Sequence, residues 1–403
     1  MSTSGGVRLA PRVRNLEISP TVAMAQRAHA LRAQGIRVYD FTVGEPDQPT
    51  PGPIVAAAVE ALKAGRTKYA PAAGLAELRA AVAQRYRQDW GTSFAPEQVT
   101  VTVGAKQALA QLYTAILDRG GEVVVPTPHW PTFAEAARIA GGRPVLLPLT
   151  GKNGYRLTAR SLSRAIGPRT RAVLVNSPSN PTGAVVEPDE LVRIARLARR
   201  RGVFLILDDT YTHLIFRPEV APPLDAVAAA AGDRLAVAGT MSKAYCMTGW
   251  RVGWVIGSRP VAAACAALNS HSIQSPATFA QIAAARALRG SQKAVRDLAI
   301  EYRRRMIAVQ PKVDALPGVV CPEPEGGFYL FPNVEGRLSE ELPDTVALSL
   351  RLLEEQGVAV VPGEGFGAPG HLRLSLATPL EDLREGTRRM AVFFSENAGP
   401  RRR

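Results

Sequence analysis

Residues 171–209 read RAVLVNSPSNPTGAVVEPDELVRIARLARRRGVFLILDD, and this stretch decides the fold class. It begins and ends with short aliphatic runs, AVLV and VFLIL, that show no polar alternation. Such runs are typical of strands buried on both faces of a sheet. The segment between them, DELVRIARLARRRG, is predicted to be a helix. Strand, helix and strand in this order predict two parallel strands joined by a helical crossover.

The same alternation continues on both sides of this unit. Buried-strand patterns occur in VTVTVG (99–104), EVVVPTP (122–128), RLAVAG (234–239) and RVGWVIGS (251–258). Helical segments such as AKQALAQLYTAIL and FAEAARIAGG lie between the strands. The chain is therefore predicted to be α/β, with a mostly parallel central sheet that helices cover on each side.

The pattern changes after residue 291, where charged helices alternate with short strand-like segments such as HLRLSLA. This change predicts a smaller α+β domain. We predict that residues 1–44 form an N-terminal arm and part of the small domain. Residues 45–290 are predicted to form the large domain, and residues 291–403 the C-terminal small domain.

Composition and charge disfavour several classes of protein. The 403-residue chain has no apolar run of the roughly 18 residues that a membrane span needs. Its three cysteines lack the spacing of a disulfide framework or a zinc site. The formal charge of +14 comes from short, dispersed arginine groups, which favour solvated helix faces over a nucleic-acid surface. We therefore expect a soluble cytoplasmic protein with no membrane, metal or nucleic-acid partner.

Polar residues stand where the predicted strands end. Gly104 closes one strand, Asn180 follows another and Asp208 ends a third. The segment from Thr240 to Lys243 follows a fourth. Because ligands of an open parallel sheet bind beyond the carboxyl ends of its strands, these residues are expected in one crevice. Taken singly, each is also explained as a turn, a helix cap or a surface charge.

Lys243 is the most informative of these residues, since only seven of the 49 basic residues are lysines. A lysine amine condenses with an aldehyde, which an arginine cannot do. A carboxylate such as Asp208 keeps a pyridine nitrogen protonated. GAKQA at a strand-to-helix turn, the hydroxyls of Thr240 and Ser242 and the guanidinium of Arg251 are suited to hold a phosphate. Together they predict a site for pyridoxal 5′-phosphate, with Lys243 as its Schiff-base lysine.

The chain resembles the fold type I pyridoxal-phosphate enzymes, specifically the class I aminotransferases of the aspartate, tyrosine and prephenate group. The resemblance covers almost the whole chain. The motifs that carry it are VGEPD (43–47), SPSNPTG (177–183), LDDTYTHL (207–214), SKAYCMTGWRVGW (242–254) and HLRLSLA (371–377). It implies a large cofactor-binding domain and a smaller α+β domain. It also implies a ping-pong transfer of an amino group from an L-amino acid to a 2-oxo acid.

The resemblance gives each matching residue a role. The predicted catalytic residues are Lys243, which moves the proton between the substrate Cα and the cofactor, Asp208 at the pyridinium nitrogen, and Tyr211 at the phenolic oxygen. The predicted cofactor-binding residues are Gly104, Ala105, Lys106, Trp130, Asn180, Asp208, Tyr211, Thr240, Ser242, Lys243, Arg251 and, from the other subunit of a homodimer, Tyr69. The predicted substrate-binding residues are Gly44, Trp130, Asn180 and the carboxylate-binding Arg373.

The substrate's side chain is predicted from the resemblance, not from a cation in the sequence. Aspartate or glutamate is favoured, although AKQALAQLYTAILDRG has no basic residue between Lys106 and Arg119. The segment NSHSIQSP offers His271 but no arginine. Aromatic or prephenate-type substrates are the next alternative, followed by a lyase or oxidase reaction with the same cofactor. A DNA-binding regulator is disfavoured, because the residues before VGEPD do not resemble a winged helix.

Overall fold

The computed structural model describes residues 20–396. Within this range, the helices are α1 (Pro20–Ala33), α2 (Gly52–Lys63), α3 (Ala76–Trp90), α4 (Ala105–Ile116), α5 (Thr132–Ile139), α6 (Ala159–Ala165), α7 (Pro188–Arg201), α8 (Leu224–Ala231), α9 (Arg259–Ser270), α10 (Thr278–Arg289), α11 (Lys293–Asp314), α12 (Thr345–Gln356) and α13 (Leu380–Glu396). The strands are β1 (Tyr39–Asp40), β2 (Val99–Thr102), β3 (Glu122–Thr127), β4 (Arg143–Pro148), β5 (Thr170–Asn176), β6 (Phe204–Asp208), β7 (Leu235–Thr240), β8 (Gly253–Ile256), β9 (Tyr329–Leu330), β10 (Val358–Ala359), β11 (Val361–Pro362) and β12 (Leu372–Ser375). None of these helices combines the length and the apolar character that crossing a bilayer requires.

Seven strands form the central sheet in the order β2, β8, β7, β6, β5, β3 and β4. The strands from β7 to β4 in this order pair in parallel, whereas β8 runs antiparallel to both β7 and β2. The carboxyl ends of all strands except β8 therefore lie at one edge of the sheet, together with the amino end of β8. The predicted α/β class with a mostly parallel sheet is confirmed.

The central strands are buried on both faces, which explains their uninterrupted aliphatic runs. Val173 of β5 and Leu205 of β6 are paired in register and belong to the core on one face of the sheet. The next pair, Leu174 and Ile206, belongs to the core on the opposite face. Because each face is covered by apolar side chains, no polar alternation is needed along these strands.

The helix between these two strands begins and ends where its sequence indicates. Pro188 occupies the first turn of α7, where its missing N–H costs nothing, and Asp189 and Glu190 follow it. Three arginines fill the last turn, and Gly202 then ends the helix at a left-handed φ of 68°.

Strand β4 is not indicated by the sequence pattern. It reads RPVLLP, lies at the edge of the sheet and pairs with β3 alone. Its side chains are exposed or half-buried. An edge strand tolerates Pro144 and Pro148 because only one side of its backbone pairs with a neighbour.

Two smaller sheets lie outside the central one. One is antiparallel in the order β11, β12 and β9, and the other consists of the parallel pair β1 and β10. Phe41, which follows β1, shares a core with Phe328 and Phe393. The side chains that α1 buries pack against Leu353 and Ala359. Described residues between positions 24 and 41 therefore pack against residues beyond position 291, while the proposed domain boundaries themselves stay a prediction.

The turn around Gly183 fits closely against residues 324–327. The φ of Gly183 is +69°, and a Cβ atom on it would lie 2.3 Å from Cβ of Pro324. Its carbonyl accepts a hydrogen bond of 2.9 Å from the backbone N–H of Glu325. The carboxylate of Glu325 also accepts hydrogen bonds from Arg156 and Arg217. Only glycine fits at position 183 without displacing its neighbours.

Candidate active site

The crevice at the carboxyl edge of the central sheet collects most of the predicted site residues. Asp208 ends β6, and Lys243 lies three residues beyond the end of β7. Because β8 is antiparallel, Arg251 precedes that strand and still reaches the same edge. Lys243 after β7 and Arg251 before β8 therefore meet at one edge of the sheet.

Lys243 is partly buried in the crevice. Its Nζ donates a hydrogen bond of 2.5 Å to the backbone carbonyl of Gly44. Burial lowers the pKa of the Lys243 ammonium to about 8. The carboxylates of Glu45 and Asp208 raise this pKa, whereas the guanidinium groups of Arg373 and Arg251 lower it further. Near pH 7, the fraction of Lys243 in the neutral amine form is therefore larger than the corresponding fraction of an exposed lysine. The neutral amine is the nucleophilic form.

Asp208 is buried at the end of β6. Its Oδ1 accepts hydrogen bonds from the backbone N–H and the hydroxyl of Thr210, at 3.0 and 2.5 Å. Burial raises the pKa of the Asp208 carboxyl to about 6, while these bonds and the charge of Lys243 lower it. Both bonds from Thr210 go to Oδ1, so Oδ2 can accept a bond from a donor in the crevice. The carboxylate is ionised at neutral pH and suits a cationic N–H group.

Gly104 and Arg251 form one wall of the crevice. Gly104 has a φ of +89°, and a Cβ atom on it would lie 2.8 Å from Nη2 of Arg251. The Arg251 guanidinium donates to the carbonyls of Thr248 and Val103, at 2.6 and 3.0 Å. These two bonds hold the guanidinium beside the start of α4, where only glycine leaves it room.

Hydroxyl groups and a helix N-terminus supply further donors. The hydroxyls of Thr240 and Ser242 are 2.9 Å apart, and both residues are buried. Ala105 and Lys106 form the first turn of α4, whose free N–H groups and positive dipole end suit an anion. The Lys106 ammonium lies 5.0 Å from the centroid of the Trp130 ring, and burial lowers its pKa.

Arg373 is a buried cation without an acidic partner in residues 20–396. It is 2% exposed, and it donates to Oδ1 of Asn180 at 3.2 Å and to the carbonyl of Thr42 at 2.9 Å. Its Nε is buried and has no hydrogen-bond partner in the described chain. A buried charge in this condition is costly unless a ligand pairs with it, so Arg373 suits a carboxylate.

Tyr211 contacts a second tyrosine that the sequence did not single out. The hydroxyls of Tyr211 and Tyr329 are 3.1 Å apart. Burial raises the pKa of Tyr211, so this phenol stays protonated. Sequence reasoning also missed the carbonyl of Thr42. The one signal for Tyr329 was the aromatic run FYLF that follows two glycines.

Tyr69, a predicted cofactor-binding residue, and His271, a candidate substrate contact, do not line the crevice. Tyr69 is 92% exposed, and His271 is exposed at the end of α9. Neither side chain has a hydrogen bond or ring contact with a crevice residue in the part of the chain that the structure describes.

The chemical groups that line the crevice match those that pyridoxal phosphate needs. The helix start at Gly104, with its guanidinium and hydroxyl neighbours, suits a phosphate, and a side chain on Gly104 would fill this space. The amine of Lys243 suits an aldehyde, and Oδ2 of Asp208 suits a protonated ring nitrogen. Trp130 adds an aromatic face beside the same helix start.

Comparisons with known proteins point to one family. The family model for aminotransferase class I and II matches residues 36–390. An aspartate aminotransferase of Streptomyces avermitilis is 42% identical over 395 residues, which cover 96% of this chain and 97% of that protein. An aspartate/prephenate aminotransferase of Thermus thermophilus is also 42% identical, over 95% of this chain and 98% of that protein.

Solved structures show the same similarity in three dimensions. The aspartate aminotransferase of Thermus thermophilus with maleate superimposes with a TM-score of 0.90 at 41% identity, covering 96% of this chain and all of that one. The aspartate aminotransferase of Rhizobium meliloti gives a TM-score of 0.92 at 34% identity, covering 97% of this chain and 99% of that one. The fold is therefore that of the fold type I enzymes.

Proposed function

This chain belongs to the class I and II aminotransferases, and we propose that it uses pyridoxal 5′-phosphate at Lys243 to move an amino group from aspartate to a 2-oxo acid. The observation that carries the proposal is the pairing of two unusual cations in one crevice. Lys243 is a lysine whose pKa is lowered to about 8, and Arg373 is a buried arginine with no acidic partner in residues 20–396. A Schiff-base lysine and a carboxylate clamp need these respective properties.

The cofactor, when bound, supplies an aldehyde that takes up the amino group and a protonated ring that withdraws electrons from the substrate Cα. Oδ2 of Asp208 would accept the ring N–H and keep that proton in place. The hydroxyl of Tyr211 would donate to the phenolic oxygen, assisted by Asn180. The phosphate would be held by the residues at the start of α4 and beside it, which are Gly104, Ala105, Lys106, Thr240, Ser242 and Arg251.

Lys243 has two tasks in this proposal. With the cofactor present, its neutral amine would hold the aldehyde. The same Nζ would be placed to hold and move a proton at the substrate Cα. The pKa of about 8 suits both tasks, because Nζ must alternate between a free and a protonated amine near neutral pH.

Arg373 binds the substrate's α-carboxylate with the N–H groups that Asn180 and Thr42 leave free. The carbonyl of Gly44 accepts a bond from Lys243, so Gly44 belongs to the same crevice. Because Arg373 is buried, a carboxylate bound to it would be shielded from water. Because every amino acid has an α-carboxylate, this contact sets the substrate class but not the side chain.

Lys106 supports a dicarboxylate substrate. Its ammonium lies over the Trp130 ring and has no acidic partner in residues 20–396. The burial that lowers its pKa also strengthens its attraction to an anion. We propose that Lys106 meets the distal carboxylate of aspartate in addition to lying beside the phosphate. The names of the Streptomyces and Thermus relatives favour aspartate as donor, and the Thermus name makes prephenate a candidate acceptor.

We also propose a homodimer whose active sites are shared. The almost fully exposed side chain of Tyr69 supports this, because in a dimer it could contact the cofactor phosphate in the partner subunit's active site. Val55, Val59 and Leu62 are exposed on one face of α2, at the spacing of an apolar helix stripe. Covering this face would remove apolar surface from water.

Two further proposals concern organisation and location. The pairing of β1 with β10 supports the predicted division into an arm (1–44), a large domain (45–290) and a small domain (291–403). The cysteines Cys246, Cys265 and Cys321 are free thiols, which supports a reducing cytoplasmic location.

The test is a half-reaction with the purified, cofactor-loaded protein. Borohydride reduction and peptide mass spectrometry should find the cofactor on Lys243. The matched control is Lys293→Ala, which removes a surface lysine and should change nothing, whereas Lys243→Ala should abolish the label. Aspartate without a 2-oxo acid should yield one equivalent of oxaloacetate and the aminated cofactor, and 2-oxoglutarate should restore the original absorbance.

Other products would contradict the proposal in distinct ways. Ammonia or peroxide in place of a recoverable amino group would identify a lyase or an oxidase. Turnover of phenylalanine that exceeds turnover of aspartate would move the substrate to the aromatic class. A protein that forms no borohydride-reducible bond at Lys243 would refute the cofactor assignment.

A further inference from the structure

Tyr329 lies where three proposed site residues meet. Its hydroxyl is 3.1 Å from that of Tyr211, and its ring centroid is 4.3 Å from Cζ of Arg373. A Cβ atom on Gly44 would be 3.6 Å from the same hydroxyl. Tyr329 is 1% exposed and comes from β9, which pairs with the strand that carries Arg373.

We propose that Tyr329 is a positioning residue with two separable functions. Its hydroxyl strengthens the hydrogen bond that Tyr211 donates to the cofactor, and its ring holds Arg373 ready for the substrate carboxylate. The inference rests on the proposed function and adds to it a residue that the sequence motifs do not include.

The direction of the bond between the two hydroxyls follows from counting hydrogens. A phenol has one hydrogen to donate. If Tyr211 donates it to the phenolic oxygen of the cofactor, the 3.1 Å bond requires that Tyr329 be the donor and Tyr211 the acceptor. A hydroxyl that accepts one bond becomes a stronger donor in the next. Tyr329 therefore favours negative charge on the phenolic oxygen.

The ring acts on Arg373 without occupying its donors. The guanidinium carbon lies 4.3 Å from the Tyr329 centroid and 5.0 Å from the Phe366 centroid. Aromatic faces attract a cation while leaving its N–H groups free. A carboxylate partner in this place would neutralise Arg373 and compete with the substrate. Two rings are therefore suited to hold a cation that must stay available.

The charged groups around the two hydroxyls belong to the same site. The charges that act on Tyr211 are those of Arg373 and Asp208, and the charge that acts on Tyr329 is that of Arg373. Both tyrosines are protonated at neutral pH because burial raises the pKa of each phenol. Changes at Tyr329 should therefore alter hydrogen bonding rather than add or remove a charge.

Two substitutions separate the two functions. Tyr329→Phe removes the hydroxyl and keeps the ring, whereas Tyr329→Leu removes both. Tyr302→Phe is the matched control, because Tyr302 is a fully buried tyrosine of the same core whose hydroxyl reaches Asp47 instead of the site. The pH midpoint of the visible absorbance of the cofactor-loaded enzyme, and kcat and KM for aspartate, are measured for each variant.

Each variant has its own expected signature. Tyr329→Phe should weaken a charge-assisted bond by roughly 10–30% and so move the pH midpoint of the absorbance upward by roughly 0.1 to 0.7. KM should stay within about twofold of wild type. Tyr329→Leu should also raise KM for aspartate roughly 3- to 30-fold. Tyr302→Phe should leave the midpoint and KM unchanged.

The outcomes distinguish this inference from the proposed function. If the wild-type protein binds no pyridoxal phosphate, both are refuted. If wild type transaminates and both Tyr329 variants behave like Tyr302→Phe, only the role of Tyr329 is refuted. Because leucine leaves a cavity, Tyr329→Phe decides the matter should Tyr329→Leu fail to fold, and an unshifted midpoint then overturns the proposal.

Discussion

Replacement of Arg373 by lysine tests the carboxylate site with a magnitude that follows from the number of available N–H groups. The guanidinium has five N–H bonds, of which Asn180 and Thr42 take one each. Three remain, including the unpartnered Nε–H, and a bidentate carboxylate uses two. An ammonium has three N–H bonds, so after the same two protein contacts it can offer only one.

Arg373→Lys should therefore lose one charge-assisted hydrogen bond to the substrate. Such a bond contributes about 1.5 to 3 kcal/mol, which corresponds to a roughly 10- to 150-fold fall in kcat/KM. The fall should be similar for aspartate, glutamate and phenylalanine, since all three have the same α-carboxylate. Steady-state kinetics with each donor and a saturating 2-oxo acid measure it.

A matched control separates the loss of contact from a general effect of lysine. Arg388→Lys alters an exposed arginine that pairs with Glu385 on α13, and it should leave kcat/KM unchanged. A loss below threefold at Arg373, or a loss that differs more than tenfold between aspartate and phenylalanine, would show that Arg373 does not bind the α-carboxylate.

Three further predictions concern specificity, packing and pH. Lys106→Met should lower kcat/KM for aspartate roughly tenfold and leave phenylalanine within threefold; equal losses for both would assign Lys106 to the cofactor alone. Gly183→Ala should lower the free energy of unfolding in urea by about 2 to 5 kcal/mol, because the new Cβ would lie 2.3 Å from Pro324. The control is Gly202→Ala, at a glycine that also has a positive φ but has open space around it, and it should cost about 1 kcal/mol. Burial lowers the pKa of Lys243 from 10.5 to about 8, so between these values the unfolded chain binds the proton more tightly and wild-type stability rises with pH. Lys243→Met should thus stabilise the cofactor-free protein at pH 7 by at most about 3 kcal/mol, and this advantage should shrink by pH 10; a constant difference would contradict the lowered pKa.

The features that sequence predicts well here are those with a local signal. Runs such as VFLIL become β-strands, and the residues just beyond them meet because parallel strands end at one edge. Lys243 and Asp208 are conspicuous in this context because a rare lysine and a charge after an aliphatic run need an explanation.

The features that sequence did not predict depend on contacts between distant segments. Tyr329 is 118 positions from Tyr211, and no spacing rule relates them. The carbonyl of Thr42 has no side-chain signature at all. The direction of β8 is equally invisible, although it determines how Arg251 reaches the crevice. Strand β4 was not predicted because its two prolines argue against a strand except at the edge of a sheet.

The pairing of β1 with β10 has a consequence for how the protein is made. Asp40 lies beside Ala359, so about 320 residues separate the two strands. At about 5 to 20 residues per second, a ribosome needs roughly 15 to 60 seconds to supply the second strand after the first. During that interval the buried apolar residues of α1 lack their native partners Leu353 and Ala359. We therefore expect the nascent amino-terminal segment to be a binding site for chaperones until synthesis has passed β10.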